Sequence, residues 1–176
     1  MSRLFGPIFQ IAYVVPDLEP FLDHMTRVLG IGPFFLFPTP LEFAWMTRYD
    51  QPSTATDVLT HAAIAYSGDT MVEVIVPGRD PSPYRDFLDA GRSGVHHVGT
   101  YATDYDAQMA AARAAGIRVA IEGELPASRF AYLETDALWP GTMVEIIDAY
   151  PPMREMFDGI REACRDWDGR DSLRAL

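Results

Sequence analysis

The chain has 176 residues, 48% of them hydrophobic and 12% aromatic, which is typical of one ordinary domain or two small fused modules. Its net charge of −11 argues against nucleic acid or an anionic membrane as the main partner, and no apolar run approaches the ~18 residues that cross a bilayer. All 14 basic residues are arginine, which excludes lysine Schiff-base chemistry and a P-loop lysine.

The first residues, MSRLFGPIFQIAY, lack the long apolar segment and cleavage site of a secretion signal. Cys164 is the only cysteine, so an internal disulfide and a thiolate metal cluster are both excluded. We therefore expect a protein of the reducing cytoplasm, in which Cys164 is chemically inert.

The first predicted module covers residues 7–76. Its first strand leads into a helix that Asp17 can cap at the N-terminus and that Gly30 can end in a left-handed conformation. Apolar and β-branched runs predict the later strands, which lie near residues 33–37, 43–49, 59–66 and 70–76.

The join at 77–94 is rich in proline and glycine and is predicted to hold one short helix. The second module, 95–148, repeats the order of strand, helix and strands. Its later strands are predicted near residues 117–122, 129–135 and 142–148. The tail, 151–176, is predicted to form a helix after Pro151 with one face on the body, and its charged last residues are expected to fray.

The two modules are copies of one pattern. The segments QIAYVVPDLE and HHVGTYATDYD align Gln10 with His97, and Asp17 and Asp104 then both follow seven residues later (17 − 10 and 104 − 97). The last strands, TMVEVIV (70–76) and TMVEIID (142–148), are nearly identical. Each half is therefore predicted to be a βαβββ unit of an α+β protein.

Each last strand carries a glutamate in an apolar run, which is costly unless its charge is compensated. Side chains alternate across a strand, so Glu73 and Glu145 are predicted to share a face with Gln10 and His97 of the first strands. Oxygen and imidazole donors of this kind suit a divalent metal such as Zn²⁺, Ni²⁺, Co²⁺, Mn²⁺ or Fe²⁺. The alternative is that the glutamates form salt bridges to strand arginines such as Arg48 or Arg129.

Other residues near these strands have plainer explanations. His96 is predicted to point to the face opposite His97 and to be structural, and His61 to have no chemical role. Arg48 and Arg129 could hold a substrate carboxylate or phosphate, although salt-bridged or solvated arginines are commoner. A set of aromatic residues could wall a pocket or fill the core: Phe34, Phe35, Phe37, Phe43 and Trp45.

Three features carry a family resemblance over residues 7 to 148: the paired units, the segments QIAYVVPDLE and HHVGTYATDYD, and the segments VEVIVP and VEIID. In these features the chain resembles the vicinal oxygen chelate superfamily. That superfamily includes glyoxalase I, methylmalonyl-CoA epimerase, extradiol dioxygenases and bleomycin-resistance proteins. The resemblance, closest to a glyoxalase-like subgroup, implies two βαβββ modules in a curled sheet around one cavity, with a C-terminal helix. It implies four metal ligands: Gln10, Glu73, His97 and Glu145.

The order Gln, Glu, His, Glu is similar to that of zinc-type glyoxalase I. The resemblance thus implies a metal-dependent lyase or isomerase that acts on a small carbonyl substrate through a metal-stabilised enediolate. Glu145 would be the base, with Glu73 as the other candidate. Analogy with the superfamily also implies a homodimer.

Three other functions stay open at this point, besides a role of the pocket in a specialised catabolic or biosynthetic pathway. The first is epimerisation of a 2-substituted acyl-CoA, as in methylmalonyl-CoA epimerase, which needs the same metal and enolate. The second is a metal-free binding protein of the bleomycin-resistance kind, with an aromatic pocket. The third, an extradiol dioxygenase, fits less well because such iron enzymes use two histidines and one carboxylate.

Overall fold

The structure, a computed structural model, describes residues 4–135 and 142–176; residues 136–141 of the predicted second module lie outside it. The elements of the first half are β1 (Ile8–Val14), α1 (Leu18–Asp23) with a π-helical turn (His24–Val28), β2 (Phe34–Leu36), β3 (Trp45–Arg48), β4 (Gln51–Pro52), β5 (Leu59–Ser67) and β6 (Thr70–Pro77). The following elements are α2 (Pro83–Asp89), β7 (Gly94–Tyr101), α3 (Tyr105–Ala114), β8 (Val119–Leu125), β9 (Ser128–Leu133), β10 (Met143–Ala149), α4 (Pro151–Arg165) and β11 (Leu173–Ala175).

The eleven strands of the described residues belong to one curled, unclosed sheet in the order β11-β2-β5-β6-β1-β7-β10-β9-β8-β3-β4. The two first strands, β1 and β7, pair antiparallel at its centre. Each is flanked by the last strand of its own half in parallel, β6 beside β1 and β10 beside β7. The predicted α+β fold of two βαβββ modules with a C-terminal helix is confirmed.

The register of the central strands repeats between the halves. Equivalent residues have equivalent partners: Gln10 with Met71 and Ala12 with Glu73 in the first half, and His97 with Met143 and Gly99 with Glu145 in the second. Because side chains alternate across each strand, this register places the four predicted donors on one face of the sheet.

The helices cover the opposite face. Val72 and Val74, the β-branched face of β6, pack with Leu22 and Met25 from the first helical segment, as the alternation predicts. In the second half α3 covers Ile146 of β10 in the same way. The inner face of the sheet is therefore left for the cavity.

Helix caps lie where the repeat predicts them. The Asp17 side chain accepts a hydrogen bond from the Glu19 backbone N–H at 3.2 Å, and Asp104 accepts one from Ala107 at 3.0 Å. Gly30 and Gly116 follow the two helices with φ of +68° and +75°, the left-handed conformation that glycine adopts without strain. The two halves thus share their local signals as well as their topology.

The predicted strand at 43–49 forms, but it pairs with the other half. β3 lies antiparallel to β8, with Met46 opposite Gly123, rather than beside β2 or β5. Met46 packs in the inner core with Phe130, and Phe43 lies against the same ring at 6.1 Å between centroids. The segment between β2 and β3 therefore crosses from one module to the other and forms part of the wall of the inner cavity.

The C-terminal helix packs as predicted, with Phe157 and Ile160 buried against Ile64 of β5. The expectation of a fraying tail is wrong, since β11 pairs in parallel with β2 at the open edge of the sheet. The Phe34 backbone N–H donates to the Ser172 carbonyl at 2.8 Å, which satisfies groups that an unpaired edge would leave to solvent. In residues 4–135 and 142–176, no helix is both long and apolar enough to cross a membrane.

Candidate metal centre

The four predicted donors come from the four central strands and meet on the inner face of the sheet. His97 Nε2 lies 3.3 Å from Glu73 Oε2 and 3.4 Å from Glu145 Oε2. One donor atom from each of these three residues lies within 4.8 Å of the other two. Gln10 completes the group, because its Nε2 donates to Glu73 Oε2 at 3.3 Å.

The cluster is almost sealed from solvent. His97 is fully buried, Gln10 and Glu145 are 3% and 6% exposed, and the side chain of Glu73 is 15% exposed. Two carboxylates thus share one imidazole in a region of low polarity, which is unfavourable unless a cation compensates their charge. Neither glutamate pairs with Arg48 or Arg129, so the salt-bridge alternative is wrong for both.

The Gln10 amide fits a metal ligand. Its Nε2 donates to Met71 Sδ and to Glu73, while its buried Oε1 has no hydrogen-bond partner in the described part of the chain. Gly99 lies directly opposite, and a Cβ there would come within 2.1 Å of Oε1. The glycine leaves room for Gln10 Oε1, an oxygen without a hydrogen-bond partner among the described residues, to lie beside the carboxylates. A cation-binding site requires such a free oxygen.

Replacement of Gly99 by alanine is expected to displace the Gln10 amide and to destabilise the protein by about 1 to 3 kcal/mol, the usual cost of overpacking. Urea unfolding in EDTA measures this cost. Gly159→Ala is the control, because a Cβ there meets no atom of the described residues within 4 Å. A Gly99→Ala protein at least as stable as wild type would contradict the close approach.

A β-bulge in β7 places the ring of His96 against the ring of His97. The β1–β7 register passes from Ala12 opposite His97 to Tyr13 opposite Val95, so His96 is an extra residue on its strand. The Nδ1 atoms of the two histidines are 3.0 Å apart. The prediction that His96 points to the opposite face is therefore wrong, because a bulge breaks the alternation on which it depended.

The histidine pair fixes the position of the ring protons. His96 Nε2 lies 3.3 Å from the Pro83 carbonyl, which can only accept, so this nitrogen carries the proton. Burial, helped by the charge of His97, lowers the pKa of His96 to about 3 and keeps its ring neutral. His96 Nδ1 then accepts from His97 Nδ1–H. The lone pair of a neutral His97 is therefore on Nε2, facing the carboxylates.

Without a cation, His97 itself carries the compensating charge. Burial lowers its pKa, but hydrogen bonds and charge from Glu145 and Glu73 outweigh this effect and raise the pKa of His97 to about 9. Burial also raises the pKa of Glu145, against the opposing influence of His97. The hydroxyl of Tyr132 lies 3.4 Å from His97 Nε2, and burial keeps it a neutral phenol by raising its pKa.

The stability of the metal-free protein is expected to fall as the pH rises from 6.5 to 9. The raised pKa of His97 gives stability that is fully present below 6.5, the ordinary value, and is lost as the pH passes about 9. The difference is on the order of 3 kcal/mol. Urea unfolding in EDTA at both pH values measures it. His97→Gln is the control, and an equal pH dependence in both proteins would contradict the assignment.

The centre lies on the floor of a cavity of about 540 Å³. Of the predicted aromatic wall, Phe37 and Phe43 line this cavity, whereas Phe34 is buried under the first helix and Trp45 is 41% exposed. A larger open groove of about 850 Å³ lies beside the first helix and includes His61, but it contains none of the four donors.

The two arginines and the cysteine have ordinary surroundings. Arg48 pairs with Asp86, and Arg129 pairs with Asp106 and Asp148. Neither arginine lines the cavity. Cys164 is partly buried, and burial raises the pKa of its thiol, which disfavours the reactive thiolate.

The fold and the donors define a class of protein, in which two βαβββ modules share one candidate site for a divalent cation. Residues 9–132, more than half of the chain, match the Glyoxalase/Bleomycin resistance protein/Dioxygenase superfamily. The chain belongs to this superfamily, which confirms the resemblance inferred from the sequence. The search of curated proteins finds no match.

Solved structures agree with this assignment. Methylmalonyl-CoA epimerase from Mycobacterium tuberculosis is 18% identical, with a TM-score of 0.61 over 88% of this chain and 95% of that one. A Streptomyces coelicolor methylmalonyl-CoA epimerase in complex with 2-nitronate-propionyl-CoA is 18% identical, with a TM-score of 0.53 over 82% and 95%. A hypothetical protein from Bacillus halodurans is 14% identical, with a TM-score of 0.56 over 81% and 93%. At these identities the likeness concerns the fold.

Proposed function

We propose that the protein is a metal-dependent lyase or isomerase that removes a proton from a carbon next to a carbonyl group. The observation that carries the proposal is the cluster of Glu73, His97 and Glu145, whose donor atoms lie within 4.8 Å of one another on the floor of a cavity. A buried carboxylate pair beside an imidazole offers both a cation site and a base, and enolisation needs both.

The ligands of the cation would be Gln10 Oε1, His97 Nε2 and one oxygen each of Glu73 and Glu145. Their mixed oxygen and nitrogen chemistry suits Zn²⁺, Ni²⁺, Co²⁺, Mn²⁺ or Fe²⁺. When bound, such an ion supplies Lewis-acid stabilisation of negative charge on a substrate oxygen.

Glu145 is proposed as the base that takes the carbon-bound proton. The Gln10 amide already donates a hydrogen bond to Glu73 Oε2 and restrains that carboxylate. This favours Glu73 as the carboxylate that stays in place as a metal ligand. Glu145 also lines the cavity, and burial raises the pKa of its carboxyl towards the range of a general base. Glu73 stays the second candidate for this role.

Epimerisation of a 2-substituted acyl-CoA is the second candidate function. It is favoured by the likeness to methylmalonyl-CoA epimerases, one of which is described in complex with methylmalonyl-CoA. The reaction needs the same proton abstraction from the carbon beside a thioester carbonyl, so the same residues would serve it.

The test is metal-dependent proton exchange in D₂O followed by NMR. Metal-loaded protein is assayed with methylglyoxal plus a thiol, with methylmalonyl-CoA at C2, and with a panel of α-hydroxyketones. EDTA-treated protein is the control. Exchange only with methylmalonyl-CoA would favour the epimerase. No metal-dependent exchange with any substrate would contradict the proposal and favour a binding protein of the bleomycin-resistance kind.

The His96→Phe variant is expected to bind Co²⁺ roughly 10- to 100-fold more weakly than wild type, since it removes the acceptor that fixes the His97 ring. Isothermal titration calorimetry measures the affinity. Phe87→Leu is the control, because Phe87 packs on the His96 ring at 5.1 Å between centroids but takes no part in the hydrogen bonds that join His96 to His97 and to Pro83. Equal affinities of His96→Phe and wild type would contradict a positioning role.

A further inference from the structure

The cavity above the candidate centre is walled by apolar side chains from both modules and from the C-terminal helix. Aromatic and aliphatic residues surround the space on several sides: Phe37, Phe43, Ile121, Phe130, Met156 and Phe157. At about 540 Å³ the cavity is within the range of small-molecule sites, roughly 300–1,000 Å³. Such walls favour an apolar ligand, because each contact removes hydrocarbon surface from water.

The charged residues of the lining are all acidic. Among the described residues that line the cavity, only Glu42, Glu73 and Glu145 have a charged side chain, and no arginine joins them. Lysine is absent from the chain altogether. Glu42 is exposed at the mouth, so an anionic group on a ligand would meet a carboxylate on entry and another pair on the floor.

Arg48, Arg129 and Arg154 are not among the residues that line the cavity, and each has contacts elsewhere. Arg48 pairs with Asp86, Arg129 with Asp106 and Asp148, and Arg154 stacks on the Tyr101 ring. A bound dication would be balanced by the two floor carboxylates. A carboxylate or phosphate on the distal part of a ligand would therefore lose its hydration without gaining a cationic partner, which is costly.

We propose that the part of the substrate away from its reacting carbonyl is uncharged and apolar, an aromatic or branched aliphatic group. This inference rests on the proposed function for the reacting end of the substrate. It excludes carriers whose charges would lie inside the cavity, such as an acidic peptide or a nucleotide, and leaves neutral α-hydroxycarbonyl compounds and neutral thiol adducts.

The test compares two probes with the same metal-binding head. Zn²⁺-loaded protein is titrated by calorimetry with 2-naphthohydroxamic acid and with its 6-carboxy derivative. We expect the neutral-tailed probe to bind at least about 10-fold more tightly, on the order of 1.4 kcal/mol. Equal or tighter binding of the carboxylate probe would overturn the inference.

A charge introduced at the mouth provides the matched variant. Leu41 lines the cavity and is only partly buried, so Leu41→Arg can be accommodated at the surface. This variant is expected to reduce the ratio of the affinities of the neutral and carboxylate probes several-fold, whereas Leu41→Gln leaves that ratio unchanged. An equal change in both variants would show that size rather than charge governs the preference, and would overturn the inference.

Failure of the proposed function is distinguishable from failure of this inference. If the protein takes up no Zn²⁺, the proposed function fails, and the tail preference is measured without a metal-binding head, with 2-acetylnaphthalene against 6-acetyl-2-naphthoic acid. Tighter binding of the neutral ketone would support the inference alone. If Zn²⁺ binds but the carboxylate probe is preferred, the inference alone fails.

Discussion

The Glu145→Gln variant is expected to lose roughly 10²- to 10⁴-fold of the metal-dependent proton exchange, the usual contribution of a general base. Glutamine keeps a carbonyl oxygen that can contact the cation, but it cannot take a proton from carbon. The variant should therefore keep most of its metal while losing turnover. NMR in D₂O measures the exchange rate with whichever substrate the wild-type protein accepts, and elemental analysis measures the metal.

Glu73→Gln is the matched control, since Glu73 occupies the equivalent position in the other module and contacts the same His97 nitrogen. It is expected to weaken metal binding more than it slows the exchange by metal-saturated protein. The reverse pattern would assign the base to Glu73. An exchange rate in Glu145→Gln within tenfold of wild type would contradict a role as base.

Loss of a residue that only orients a metal ligand weakens metal binding by roughly 10- to 100-fold. The His97→Ala variant is expected to weaken metal binding by more than this. It also removes the cationic partner that both buried carboxylates have among the described residues, and removal of one member of a buried pair costs about 3 to 5 kcal/mol. Co²⁺ titration and urea unfolding measure the two effects.

His61→Ala is the control for His97→Ala. His61 also lies in a strand, but it borders the outer groove and not the carboxylate cluster. It is expected to bind Co²⁺ as wild type does. If both alanine variants bound Co²⁺ with wild-type affinity, His97 would not be a ligand.

The shared face of the four donors was predictable because the chain repeats itself. A strand has a period of two, so once Gln10 is aligned with His97, the positions of Glu73 and Glu145 follow from their places in the last strands. The caps at Asp17 and Gly30 were predictable for the same local reason, since each depends on a few neighbouring residues.

Features that depend on distant pairing were not predictable from local pattern. The bulge at His96 arises from the register of β7 against β1, and the strand Trp45–Arg48 pairs with residues about 75 positions later. The tail strand Leu173–Ala175 likewise depends on the free edge offered by β2. The adjacent pair His96-His97 was a visible signal, but alternation alone assigned its first member to the wrong face.

We propose that the two modules jointly bind one divalent cation through Gln10, Glu73, His97 and Glu145. Elemental analysis of the purified protein, after exposure to divalent metals and removal of loosely bound ions, tests it most directly. About one ion per wild-type chain is expected, and close to none in His97→Ala that remains folded. Wild-type protein without metal, or folded His97→Ala with as much metal as wild type, would contradict it.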